Sequence, residues 1–267
     1  MAHGDSYKRI IETVFLERHR VGGEEVLFDR EDLRIAAHAL GVPVPKNLGD
    51  IVYAFRYRRK MPDRIQDRAP AGKSWIIRGR GIAKYTFVAV SSPWIVPTSH
   101  LAEIKVPDAT PGIIAKHALT SEQALLAKLR YNRLVDIFSG VTCYSLQNHL
   151  RTQVEGIGQL ETDEIYLGVD RRGAHYVFPV EAKGGKDKLG IVQIDQDLEL
   201  CRAKFPSLIC RPIASQFMGD DLIALFLFEE DDKGYAVLAY ERHYRLVPHG
   251  AISREELEAY RASLDPS

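Results

Sequence analysis

The sequence predicts an α/β (α+β) protein of two domains, and three observations predict it. Apolar residues recur at helical spacing through the first sixty positions. Beyond about residue 145 they alternate or run continuously in short β-branched and aromatic stretches. Charge divides along the chain as well: from Pro45 to Tyr85 eleven basic residues stand against three acidic ones, an excess of +8 in a chain of 267 residues with zero formal net charge. A basic segment joined to an acidic remainder is the pattern of a polyanion-binding module attached to something else. The expected boundaries are 1–90 for the basic domain, 91–118 for a connector and 119–267 for the second domain.

Taken in order, Tyr7, Ile10, Ile11, Val14 and Phe15 form one face of a first helix. Asp29 is placed to cap a second helix, with Asp32 at its third position and Leu33, Ala36, Ala37 and Leu40 as its buried stripe. Gly41 supplies the stop. After the turn Val42–Lys46, Asn47 caps a third helix over 48–60. This helix turns Ile51, Val52 and Phe55 inward and Arg56, Arg58, Arg59 and Lys60 outward. Ser74–Arg78 and Ala83–Val88 read as a β-hairpin with a basic, glycine-rich tip, Gly79-Arg80-Gly81. Pro93, Pro97, Pro107 and Pro111 make 91–115 a connector or an extended packing segment.

A helix over 121–138 follows, and 146–155 forms the first strand of a second sheet. The hairpin 159–183 and a helix over 188–204 come next. Asp221–Phe228 is a continuous apolar run, as expected of a strand covered on both faces. Tyr235–Tyr240 is its hairpin partner, and Ser253 with Glu256 caps a last helix.

The hairpin 159–183 carries the chemistry. Its turn is Asp170-Arg-Arg-Gly173, between two alternating segments. In one of the two registers this turn allows, Asp163 lies opposite Glu181 and Glu161 opposite Lys183, all on one face. Two opposed carboxylates repel each other, and stability gives no reason to place them there. A divalent cation removes the conflict. Glu161 has two readings of equal weight, as a third ligand or as a partner for Lys183. Asp136 and Glu122 are acids on the preceding helix that a solvated surface also explains.

Asp163 followed by Glu181-x-Lys183 at the end of an apolar strand resembles the signature of the PD-(D/E)XK phosphodiesterases, the restriction-endonuclease-like nucleases. The resemblance covers roughly residues 120 to 245, and Thr162 stands where many members have proline. It implies a mixed sheet flanked by helices, with Asp163, Glu181 and the carbonyl of Ala182 binding Mg²⁺, which Mn²⁺ replaces. It further implies Lys183 beside the attacking water, Gln193 as a polar residue from the following helix, and in-line hydrolysis leaving 5′-phosphate ends. Three helices followed by a basic hairpin resemble a winged helix-turn-helix. That likeness implies duplex DNA contacts by Arg56, Arg58, Arg59, Lys60, Arg78 and Arg80.

The expectation is a Mg²⁺-dependent DNA endonuclease of the type II restriction or a related defence class, with a companion DNA methyltransferase as a further partner. Repair, junction-resolving and transposition roles share the chemistry. Cutting both strands calls for two sites and hence a homodimer. A DNA-binding regulator with an inactive nuclease-like domain is the alternative, and RNA cleavage a third reading.

Other motifs fail on their spacing. Gly72-Lys73-Ser74 has Asp67 where a phosphate-binding loop needs its first glycine, and Gly79-x-Gly81 lacks the third glycine of a dinucleotide site. Gln147-Asn-His149 has no paired cysteines or second histidine for a zinc unit. Cys143, Cys201 and Cys210 are too few and too scattered for a disulfide framework. No apolar run reaches the ~18–20 residues of a membrane span, and the first residues lack a signal-peptide pattern. A cytoplasmic protein without membrane contact is expected.

Overall fold

In the computed structural model, which describes residues 2–117, 122–154, 158–184, 188–219 and 221–262, the chain divides into two units. The first comprises Met1–Ile95, Arg151–Leu160 and Gly190–Gln196. The second comprises Val96–Leu150, Glu161–Leu189 and Asp197–Ser267.

The first unit is built from α1 (Ala2–Arg18), β1 (Glu25–Asp29), α2 (Arg30–Ala39), α3 (Gly49–Tyr53), α4 (Asp63–Gln66), β2 (Ser74–Gly79), β3 (Lys84–Val90) and β4 (Trp94–Ile95). The helical face of α1 is buried, and Phe15 meets the edges of Trp75 and Phe87 with ring centroids 5.0 Å apart. Asp29 caps α2 as its sequence position requires. Its Oδ1 accepts from the amides of Glu31 and Asp32, and Asp32 returns a bond to the Asp29 amide. Gly41 follows with φ +62°, the left-handed conformation that ends a helix. Sequence periodicity did not disclose β1. This strand pairs antiparallel with β3 and gives the sheet the order β1–β3–β2.

The third helix departs from expectation at its end. Beyond Tyr53 the backbone continues as a π-helical turn, Ala54–Arg58, closed by the Arg59 amide on the Ala54 carbonyl at 2.7 Å. Arg59 itself is extended, so Arg59 and Lys60 lie outside the helix. Pro62 lies three residues further on, and the chain has left the helix before reaching it.

The second unit contains β5 (Glu103–Pro107), α5 (Gly112–His117), α6 (Glu122–Tyr131), α7 (Leu134–Ser139), β6 (Thr142–Val154), β7 (Gly158–Val169), β8 (His175–Lys183), β9 (Leu189–Gly190), α8 (Ile191–Lys204), β10 (Ile209–Cys210), β11 (Ile213–Gly219), β12 (Leu222–Glu230), β13 (Ala236–Val247) and α9 (Arg254–Ala262). Strands β6 and β7 and helix α8 each have residues in both units. The large sheet runs β5–β13–β12–β11–β8–β7–β6, with β10 beside β8. It is mixed: β8 pairs parallel with β11 and antiparallel with β7, and β5 pairs parallel with β13. The proline-broken stretch after residue 90 thus supplies an outer strand of this sheet.

The helix expected over 121–138 is two helices; Ser121 lies outside the described residues. Arg133 breaks the run with φ +49°. The cause is Asn132, a buried side chain whose amide bonds Asp108, Thr110 and the Lys128 carbonyl, while its oxygen accepts from Ala109. Strand β6 begins four residues before its expected start, and Glu155 at its expected end is outside the described residues.

Pro179 sits inside central strand β8, where a missing amide hydrogen normally costs a ladder bond. Beside it the neighbouring strand changes. β10 pairs as far as Val177 and β11 begins at Val180, so proline occupies the gap. Cys143 and Cys201 are buried and Cys210 is half-buried. Burial pushes the Cys143 thiol up to about 11. No helix among the described residues is long and apolar enough to cross a membrane.

Candidate metal centre and nucleic-acid surface

The turn between β7 and β8 is fixed by its own side chain. Asp170 Oδ1 accepts from the amides of Arg172 and Ala174, each at 2.8 Å, and Gly173 takes φ +81°. This closure sets the register Glu164↔Val180 through Val169↔His175, which is the register that brings Asp163 toward Glu181. Beyond Glu164 the Asp163 carboxylate itself takes a partner-strand amide, that of Ala182, at 2.9 Å.

Glu181 and Lys183 lie at the end of β8, with Glu181 buried. Two further acids join them. Glu122, at the start of α6, accepts a hydrogen bond from Lys183 Nζ at 2.7 Å. Asp197, on α8, is fully buried. Three carboxylates, Glu122, Asp163 and Glu181, therefore act on the one ammonium group, and Asp197 adds its charge beside Glu181, an anionic excess among the described residues.

The electrostatics follow from that count. Burial, and then the charges of Asp197 and Asp163, hold the Glu181 carboxyl well above the usual carboxylate range. Burial also raises Asp163, against the Ala182 amide and Lys183, which favour its charge. Asp197 is raised well above its ordinary value by burial, with Cys210 and Asp163 adding to it. For Lys183 burial opposes the charge, but the hydrogen bond to Glu122 and the nearby carboxylates win, and its pKa rises. The lysine is a fixed cation here rather than a base.

The residues fit a hard divalent cation. Both oxygens of Asp197 are buried without a well-formed hydrogen bond among the described residues, and the Glu181 side chain is buried as well. The described residues contain no group of three His, Cys, Asp or Glu side chains disposed to hold one metal. Mg²⁺ does not require such a group, since it takes one or two carboxylates and keeps several waters. Asp163 and Glu181 meet that demand. Ala182, next to Glu181 in sequence, is buried, its amide given to Asp163.

Glu161 and Lys183 are not paired as the sequence allowed, because the lysine binds Glu122. Nδ1 of His149 stands 4.0 Å from Glu161. Gln193 bonds locally, its Oε1 accepting from the Gly190 amide at 3.1 Å. Asp136 is structural, accepting from the Cys143 amide at 2.9 Å and pairing with Arg133. Asp197 was not singled out in the sequence. It lies one helical turn beyond Gln193, and that i, i+4 spacing was the available signal.

In the first unit the basic residues separate into two kinds. Arg58, Arg59, Lys60 and Arg80 are exposed, and Arg56 is half-buried. Arginines lie over tyrosine rings, Arg58 over Tyr53 at 4.9 Å and Arg56 over Tyr57 at 5.0 Å. Arg78 departs from the expected tip. Its side chain is 9% exposed and its Nε lies 3.0 Å from Asp195, so this guanidinium is committed to a buried ion pair. Strand β2 is buried from Trp75 to Arg78 on both of its faces, while Arg80, beyond the strand, is exposed.

Comparison with protein-family models, with curated proteins and with solved structures returns no match for this chain.

Proposed function

We propose that this protein is a Mg²⁺-dependent DNA endonuclease of the restriction-endonuclease-like kind, with the first unit acting as a winged-helix reader of duplex DNA. The observation that carries the reading is the cluster at the end of β8, where Asp163, Glu181 and Glu122 act on Lys183 and Asp197 lies beside Glu181. Such a concentration of carboxylates is costly without a cation, and the mixed sheet that supports it suits the PD-(D/E)XK resemblance.

Asp163 and Glu181 would hold the ion, with the Ala182 carbonyl completing the protein's share. When bound, Mg²⁺ supplies polarisation of the scissile phosphate and a bound water of lowered pKa. Lys183, kept protonated by Glu122, offers a fixed positive charge to the phosphate oxygens and orients the nucleophile. Burial of Glu181 excludes bulk water, which strengthens each of these interactions.

For the first unit, support comes from the order α1–β1–α2–α3–α4–β2–β3 and from the exposed Arg58, Arg59, Lys60 and Arg80. Arg58 stacked on the exposed Tyr53 is a guanidinium held in one plane, suited to a base edge or a phosphate. A homodimer with one site per strand, and a methyltransferase protecting host sites, belong to the same restriction reading.

Supercoiled plasmid incubated with the protein and Mg²⁺ tests the proposal. Nicking or linearisation that leaves 5′-phosphate ends, and is lost with EDTA and with Lys183→Ala, is the expected result. Binding of DNA without cutting, across varied sequences and methylation states, would instead identify a regulator. Degradation of structured RNA with plasmid intact would identify a ribonuclease.

A further inference from the structure

The placement of Asp197 goes beyond the ligand pair assigned above. It is the seventh residue of α8, too far from the helix start to cap it. It is fully buried, and its neighbours Ile194, Leu198 and Cys201 along the helix are buried apolar or thiol side chains. An apolar residue would fill that position without the desolvation that an unpaired carboxylate suffers. Both carboxylate oxygens lack a partner among the described residues. The Thr162 hydroxyl stands near enough to favour the aspartate's charge, yet it too is buried without a hydrogen-bond partner. Asp197 and Thr162 thus stand side by side without a well-formed bond, and the carboxylates whose charges act there are Asp163 and Glu181.

We propose that Asp197 is a positioning residue for the divalent cation, accepting hydrogen bonds from water in the ion's shell while Asp163 and Glu181 ligate the ion. The inference rests on the metal-dependent reading of the site. Direct ligation by all three acids is disfavoured, since no three such side chains among the described residues are disposed around one point. Mg²⁺ holds its water tightly, and those water protons need acceptors once the site is shut away from solvent. An ionised carboxylate accepts at both oxygens, and groups of this outer kind orient the inner shell and tune affinity. The Thr162 hydroxyl supplies the matching donor or acceptor from the strand side.

The test compares full-length wild type, Asp197→Asn and Glu181→Gln by Mn²⁺ titration calorimetry and by the electron paramagnetic resonance spectrum of the bound Mn²⁺. Asp197→Asn keeps the shape of the side chain, and its melting temperature in EDTA certifies folding. The expected result is binding about 10- to 100-fold weaker in Asp197→Asn, with an altered Mn²⁺ spectrum, and no detectable binding in Glu181→Gln. Affinity within twofold of wild type and an unchanged spectrum in Asp197→Asn, with Glu181→Gln defective, would overturn the role of Asp197 and leave the metal site standing. Absence of Mn²⁺ binding by wild type, or equal binding by all three proteins, would overturn both.

Discussion

At the scale of single residues, the buried acids make a statement about stability. Asp163, Glu181 and Asp197 all have carboxyls raised above their ordinary values, chiefly by burial. A raised carboxyl binds more protons in the folded state than in the unfolded chain, so stability falls as pH rises. Without a cation the contribution is fully present below about pH 4 and is lost as pH climbs through the raised values. The metal-free protein is therefore expected to melt lower at pH 8 than at pH 6, with Mg²⁺ restoring the difference. Calorimetry in EDTA and in Mg²⁺ at the two pH values checks this, and a pH-independent melting temperature would refute it. Asp197→Asn removes one of these charges and should raise the melting temperature at pH 8 in EDTA, by about 2–4 °C for each kcal/mol relieved. Arg78 has the opposite character. Breaking its buried pair with Asp195 by Arg78→Ala should cost about 3–5 kcal/mol of stability, read by urea unfolding. Arg80→Ala, at an exposed position, should leave unfolding almost unchanged.

At the scale of elements, Gly168 shows how tightly β7 is packed. A β-carbon there would lie 2.7 Å from Val141 Cγ1 and 2.9 Å from Phe178 Cε2, both core atoms. Gly168→Ala should destabilise the second unit by about 1–3 kcal/mol through overpacking, with the unfolding midpoint as the measurement. The hairpin was legible in the sequence because its turn chemistry and its alternation agree, and the register Glu164↔Val180 is one of the two that the turn allowed. The cap of α2, the β12–β13 hairpin and the Ser253–Glu256 box were legible for the same reason. The break at Arg133 was not, because Asn132 owes its role to partners more than twenty positions away. Strand β1 escaped because five residues with charged ends carry little periodic signal and gain their pairing from β3. At the candidate site, the opposition of Asp163 and Glu181 could be read from strand geometry. Of the helix acids, Glu122 was named in the sequence only beside Asp136 and Asp197 was not singled out, since a helix acid looks like solvated surface until its packing is known.

At the scale of the whole molecule, charge segregation along the sequence is the feature on which the proposed association with DNA rests. Binding should be strongly salt-dependent, because contacts between basic side chains and phosphates release counterions. Arg58→Ala and Arg80→Ala are each expected to weaken binding and to reduce the slope of log affinity against log salt by about 1. Fluorescence anisotropy over a salt series measures both, and unchanged slopes would remove these side chains from the interface. The sulfur inventory has a practical corollary for such measurements. With Cys143 and Cys201 buried, Cys210 is the least enclosed of the three thiols and the one a maleimide dye would reach first. That thiol acts on Asp197, so a dye placed there would report on the proposed cation without any engineered cysteine.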